Sequence, residues 1–161
     1  MKKIINIESI AKRKKTIAII AAVFVVLYYF IIANNLFFYS LEGNRVRKVY
    51  VGDHEFRMEM VDDTKSLSKG LGGRNQICGK CGMFFDFGKD DNHGMWMKDV
   101  NFDLDIIWIR DGEVIWIEEN ISHQNKLNVY GTSVTSDAVL EVNAGLVDAY
   151  GIKRGDQMVI K

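Results

Sequence analysis

The 161-residue chain contains no proline, and it has only two cysteines and three histidines. Without proline, its turns depend on glycine, which tolerates positive φ, and on the side-chain hydrogen bonds of Asn and Asp. Two cysteines exclude a disulfide-rich framework. Zinc usually takes four protein ligands, or three and a water, and His54, His93 and His123 have no finger-like spacing. We therefore expect no metal and no cofactor. The chain also lacks a Walker sequence, a G-x-G-x-x-G after a strand, an H-E-x-x-H and a G-x-S-x-G. The usual nucleotide-binding, metalloprotease and serine-hydrolase signatures are thus missing.

What is present is divided unevenly. Hydrophobic residues make up 48% and charged residues 26%, which excludes a disordered polypeptide. The formal net charge is zero, but residues 1–43 carry six basic and two acidic side chains, and residues 44–161 carry fifteen and nineteen. The acidic second part lacks a basic stripe, so no nucleic-acid partner is expected.

Residues 17–33 read IAIIAAVFVVLYYFIIA, seventeen residues without a charge. At 1.5 Å per residue such a helix measures about 25 Å, against a hydrocarbon layer of roughly 30 Å. Leu36, Phe37, Phe38 and Tyr39 continue the run past Asn34 and Asn35, and Lys12, Arg13, Lys14 and Lys15 precede it. This pattern predicts a basic cytoplasmic tail over 1–15, a transmembrane signal-anchor helix over 16–39 and an extracytoplasmic domain over 43–161. A cleaved signal peptide is the competing reading, although Ile31 occupies a position where a small residue is usual. The expected location is the cell membrane, single-pass, with lipid as one partner and an envelope protein, peptide or small anion as another.

Period-2 patterning dominates the second part. Residues 46–51 and 54–61 predict two strands joined by Gly52-Asp53, and Asp62 or Asp63 could cap a short helix ending near Gly70. Residues 83–87 read as a buried strand. Asp111-Gly112 lies between LDIIWIR and EVIWIEE, the strongest short-range hairpin signal a sequence offers. Alternation predicts Ile107, Ile109, Ile115 and Ile117 on one face, with Ile106, Trp108, Val114 and Trp116 on the other. Residues 139–142 and 157–160 read as further strands, and 146–150 as a short helix or turn. The expected fold is mainly β, bordering on α+β: a compact antiparallel domain, sandwich-like or barrel-like, with one or two short helices.

Six blocks, GLGGR (70–74), CGMFF (81–85), WMKD (96–99), LDIIWI (104–109), VLEVNAG (139–145) and GIKRGD (151–156), together resemble the DUF192 family of small exported or membrane-tethered domains. The resemblance covers roughly residues 56–160 and implies a compact, mainly β, sandwich-like fold, without an established activity. It points to Gly70, Leu71, Arg74, Gly82, Met83, Phe84, Trp96, Met97, Lys98, Leu104, Asp105, Glu141, Gly145, Gly155 and Asp156. Where the family has Met-Phe this chain has Gly72-Gly73, which implies a wider groove, and Asp103 stands where the family has Pro.

Arg74, Lys98, Asp105 and Glu141 are charges within apolar blocks, where an unpaired charge is costly. They form either internal anchors or, with Trp96, a ligand-binding cluster; Arg74 is the strongest candidate for gripping an anion. Cys78 and Cys81 can close a small disulfide, hold a metal or act as a redox pair. The run Asp86, Asp90, Asp91, Asn92 faintly resembles a calcium loop, but Met97 stands where its last acidic ligand belongs. The expected function is a membrane-tethered extracytoplasmic binding or accessory domain. The alternative is a small envelope enzyme, hydrolytic or thiol-redox, using the acidic residues or the Cys78/Cys81 pair.

Overall fold

A computed structural model describes residues 7–33 and 43–161, which fall into two compact units, residues 1–39 and 40–161. In the first, a single helix, α1, spans Ile7–Ala33. Among the described residues, no helix is long and apolar enough to cross a membrane. In the continuous helix α1, Lys12, Arg13, Lys14 and Lys15 precede an uncharged run of seventeen residues, 17–33, against the roughly 20 apolar residues that a span usually takes. The expected anchor is thus not found, and 34–39 of its predicted span lie outside the described residues. The single-pass location, the lipid partner and the tethered function expected above rested on that anchor and are withdrawn with it.

The second unit is built on one seven-stranded sheet. In chain order its elements are β1 (Arg45–Val51), β2 (His54–Val61), α2 (Thr64–Lys69), β3 (Cys81–Asn92), β4 (Met95–Trp96) and β5 (Leu104–Arg110). There follow β6 (Glu113–Ile121), β7 (Val129–Tyr130), β8 (Thr135–Asn143), α3 (Leu146–Tyr150) and β9 (Met158–Ile160). The large sheet runs β6-β5-β8-β3-β2-β1-β9, and β4 pairs with β7 in a separate two-stranded ribbon. The sheet is mixed, not antiparallel as expected, because β2 and β3 pair in parallel. Their link, residues 62–80, carries α2 and brings the chain back to start β3 in the same direction, as a parallel pair requires.

Nor do two separate sheets face each other as in a sandwich. The single sheet curls into a half-barrel whose edges approach at one end. There Val114 N donates to Asp156 O at 2.9 Å, Gly155 N to Val114 O at 2.8 Å and Met158 N to Gly112 O at 2.7 Å. Asp111 and Gly112 make the expected hairpin turn, both with positive φ (52° and 76°).

Both faces of the sheet are covered, which is why β5 is buried from Leu104 to Ile109. One core contains Phe56, Met58, Phe84, Ile107, Ile109, Leu140 and Val142, closed by Val147 of α3. The other contains Leu71, Met83, Phe85, Met97, Leu104, Ile106, Trp108 and Val139. Simple alternation fails on β6. A register shift between Trp108 and Ile109 places Val114 opposite Ile109 and Trp116 opposite Trp108. Val114 consequently joins the Ile107/Ile109 core, and Ile115 packs against the Trp108 side. One extra residue in a strand reverses the faces of every residue beyond it.

Trp108 is fully buried, and its indole Nε1 donates to His93 O at 2.9 Å, so the polar edge of this large side chain is satisfied. At Gly82 a Cβ would run into the backbone of Glu141 and the end of Met58. The absence of a side chain there permits β3 and β8 to pair with Met58 packed across them.

Candidate functional site

Glu141 sits on β8, opposite Met83 of β3 on one side and Ile106 of β5 on the other. Val139, two residues earlier on the same face, belongs to the Trp108 core, so Glu141 occupies a position that alternation assigns to an apolar residue. It is 2% exposed, and its Oε2 has no hydrogen-bond partner among the described residues. Burial raises its pKa, and the nearby Arg74 charge lowers it; burial prevails and pushes it up to about 8. At neutral pH this side chain is largely a carboxylic acid.

Above it opens a cavity of about 360 Å³. Thr64, Leu67, Ser68 and Lys69 of α2 line one side, Phe85 and Phe87 of β3 another, and Met95, Trp96, Lys98 and Val100 a third. Asp63 caps α2 by accepting from Lys65 N and Ser66 N at 3.0 and 3.1 Å. Those bonds, led by the Ser66 hydroxyl, hold the Asp63 carboxyl below its ordinary range. The helix ends at Gly70, whose φ of 50° and ψ of −136° suit glycine. A Cβ at Gly70 would lie 3.2 Å from the Phe85 ring and 3.9 Å from Glu141 Oε2, so this glycine keeps the carboxyl open to the cavity. At the rim Lys98 Nζ lies 5.2 Å from the centre of the half-exposed Trp96 ring.

The fold therefore brings Trp96, Lys98 and Glu141 together. Arg74 is close by but points its guanidinium at Glu59, with Nη1–Oε1 2.5 Å and Nη2–Oε2 2.9 Å, and Asn44 Nδ2 adds a 3.0 Å bond to Glu59 Oε2. The anion that the guanidinium grips is thus an internal carboxylate. Asp105 stands apart, on the Ile107 face, where its oxygens accept from Asn120 N at 2.8 Å and Val147 N at 2.9 Å. Gly72 and Gly73 do not line the cavity. Instead Gly73 N donates to Asp99 O at 2.8 Å, tying this loop to the segment that carries Trp96 and Lys98. Asp103 accepts from His123 N at 2.8 Å, a bond that lowers its pKa.

Reading the sequence missed Glu59, Leu67, Lys69, Phe87 and Met95. Glu59 had a signal: it is an acidic residue flanked by Met58 and Met60, and a carboxylate held between apolar neighbours needs a partner. The others are assembled only by tertiary contact.

Cys78 and Cys81 are joined in a disulfide at the start of β3, where Asn143 Nδ2 donates to Cys78 O at 2.9 Å. His93 is stacked on Phe87 with ring centres 3.7 Å apart and does not join the cysteines in a metal set. Among the described residues no group of three or more His, Cys, Asp or Glu could hold a metal ion. Since only three positions separate the two cysteines, loop-closure entropy puts the stabilisation at about 2 kcal/mol. Adding reductant, or making Cys78→Ser/Cys81→Ser, should lower the unfolding free energy in urea by about that amount. An unchanged midpoint would show that the link constrains nothing.

A second hollow of about 410 Å³ is bordered by Asp86, Asp90, Asp111 and Asp137 with Lys89. Asp137 Oδ2 is already used there by Asp111 N at 3.0 Å, so we place the working site at Glu141.

The fold and cavity define a small half-barrel domain with one buried acid under an apolar pocket. Residues 47–160 match the model of DUF192, described as an uncharacterized ACR, and the chain belongs to that family. No curated protein matches it. A crystal structure from Sinorhizobium meliloti 1021, provisionally described as a transcription regulator, is 29% identical, covers 73% of this chain and 95% of its own, and superposes with a TM-score of 0.69. One from Novosphingobium aromaticivorans DSM 12444, described as a protein of unknown function, is also 29% identical, with 75% and 89% coverage and a TM-score of 0.71.

Proposed function

We propose that this domain is a small hydrolytic enzyme in which Glu141 is the general acid. The observation that carries the reading is a buried carboxyl with an unpartnered oxygen on the wall of a ligand-sized cavity. A polar group left without a partner in an apolar core costs stability, and such a cost is commonly kept where the group meets a ligand.

The raised pKa suits the role, since a proton donor must hold its proton near neutral pH and release it to a developing charge. Glu141 would pass its proton to the leaving-group oxygen as the bond to that oxygen breaks. A water molecule supplies the new bond, and its spare proton restores the acid. Leu67, Phe85 and Trp96 hold the substrate body and exclude bulk water, which strengthens the transfer. The regulator description given to the Sinorhizobium protein does not suit residues 44–161, whose charge is acidic.

The test is a panel of small chromogenic esters and glycosides. Turnover of at least one should fall about 100-fold or more in Glu141→Gln, and wild-type rates should decline as pH rises through about 8. Equal turnover by Glu141→Gln, with its fold intact by circular dichroism, would dispose of the reading.

A further inference from the structure

The cavity's charges bear on what enters it. Its ionisable lining residues are Lys69, Lys98 and Glu141. With Glu141 protonated, the Lys98 ammonium leaves the rim positive, although residues 44–161 as a whole are acidic. Among the described residues no ionised carboxylate lines the cavity to receive a cation, and an incoming cation would pass the Lys98 ammonium.

Size and surface narrow the choice further. About 360 Å³ is near the lower end of the range for small-molecule sites. Leu67, Phe85, Phe87 and Met95 make the interior apolar, and the face of Trp96 stands at the rim beside Lys98. At the inner end Glu141 Oε2 has an unmet hydrogen bond among the described residues. An occupant should therefore have an oxygen at one end, an apolar middle and a negative charge at the other end.

Resting on the reading of this cavity as the working site, we infer that its substrate class is compact monoanionic esters or glycosides, in which a carboxylate on an aromatic or branched aliphatic body lies toward Lys98 and the leaving-group oxygen lies toward Glu141. The apolar body lies between Phe85 and Trp96. Lys98 acts at the rim, where its charge selects, and Glu141 acts at the floor.

The experiment uses the full chain and three probes that share a phenyl body and differ in charge, benzoate, benzamide and benzylamine, with binding followed by NMR shifts and calorimetry at neutral pH. Benzoate should bind about tenfold more tightly than benzamide, and benzylamine most weakly. Lys98→Gln should remove most of the benzoate advantage and leave benzamide binding unchanged, Lys98→Arg should retain it, and added salt should reduce it. Benzylamine binding as well as benzoate, a benzoate preference that survives Lys98→Gln, or no binding by any probe at millimolar concentration would each overturn the inference. The expected charge order with unaltered Glu141→Gln turnover removes the general acid alone; loss of turnover without the charge order removes the anion alone.

Discussion

Asp105→Ala is expected to lower the unfolding free energy by about 3–5 kcal/mol, the largest loss from any single side chain considered. Asp105 is fully buried in β5, and each of its oxygens accepts one backbone N–H from a distant part of the chain. One comes from Asn120, which has a positive φ of 54° near the end of β6. The other comes from Val147 in the first turn of α3, a helix whose cap position, Gly145, supplies no side-chain bond. Asp105 thus caps that helix from 42 residues away. Alanine would leave two N–H groups without their partner, each costing about 1–3 kcal/mol. Asp105→Asn should lose less, since one oxygen remains to accept. Urea melts of the three proteins measure this directly, and a loss below about 1 kcal/mol for alanine would show that water replaces the carboxylate.

Glu141 should make stability fall as pH rises. Its pKa is about 8 when folded, against 4.5 for an unperturbed side chain. Below about 4.5 both states are protonated and its favourable contribution is complete. Between about 4.5 and 8 the unfolded chain releases the proton while the folded one keeps it, so the unfolded state gains. At about 1.4 kcal/mol per pKa unit, roughly 4 kcal/mol disappears across that interval, and little further change occurs above it. Glu141→Gln should abolish this slope, leaving the variant the more stable protein at pH 8. Exposed carboxylates whose pKa is lowered, such as Glu55 and Asp91, act in the opposite sense, so the quantity to follow is the difference between wild type and variant. Coincident stability curves for the two proteins from pH 4.5 to 8 would mean that Glu141 ionises inside the fold.

These two carboxyls illustrate how far the sequence could be read. Both stood out as charges within apolar blocks, and sequence alone left open whether each was an anchor or a ligand group. Their neighbours decide that question. Asp105 meets two backbone N–H groups, and Glu141 meets a cavity, because adjacent strands turn these residues to opposite faces of the sheet. Trp96 and Lys98 were legible as candidates through the family blocks. Leu67 and Phe87 were not, since nothing local marks an apolar residue as lining a cavity instead of filling a core.

Local chemistry was determined by the sequence itself: the Asp111-Gly112 hairpin, the Asp63 cap, the glycine ending α2 and the strands around them each depend on a few adjacent residues. Tertiary structure alone decided the parallel pairing of β2 with β3, the curl that joins the sheet's edges, the register shift in β6 and the shaping of a cavity over Glu141. Those features are set by packing between segments far apart in the chain.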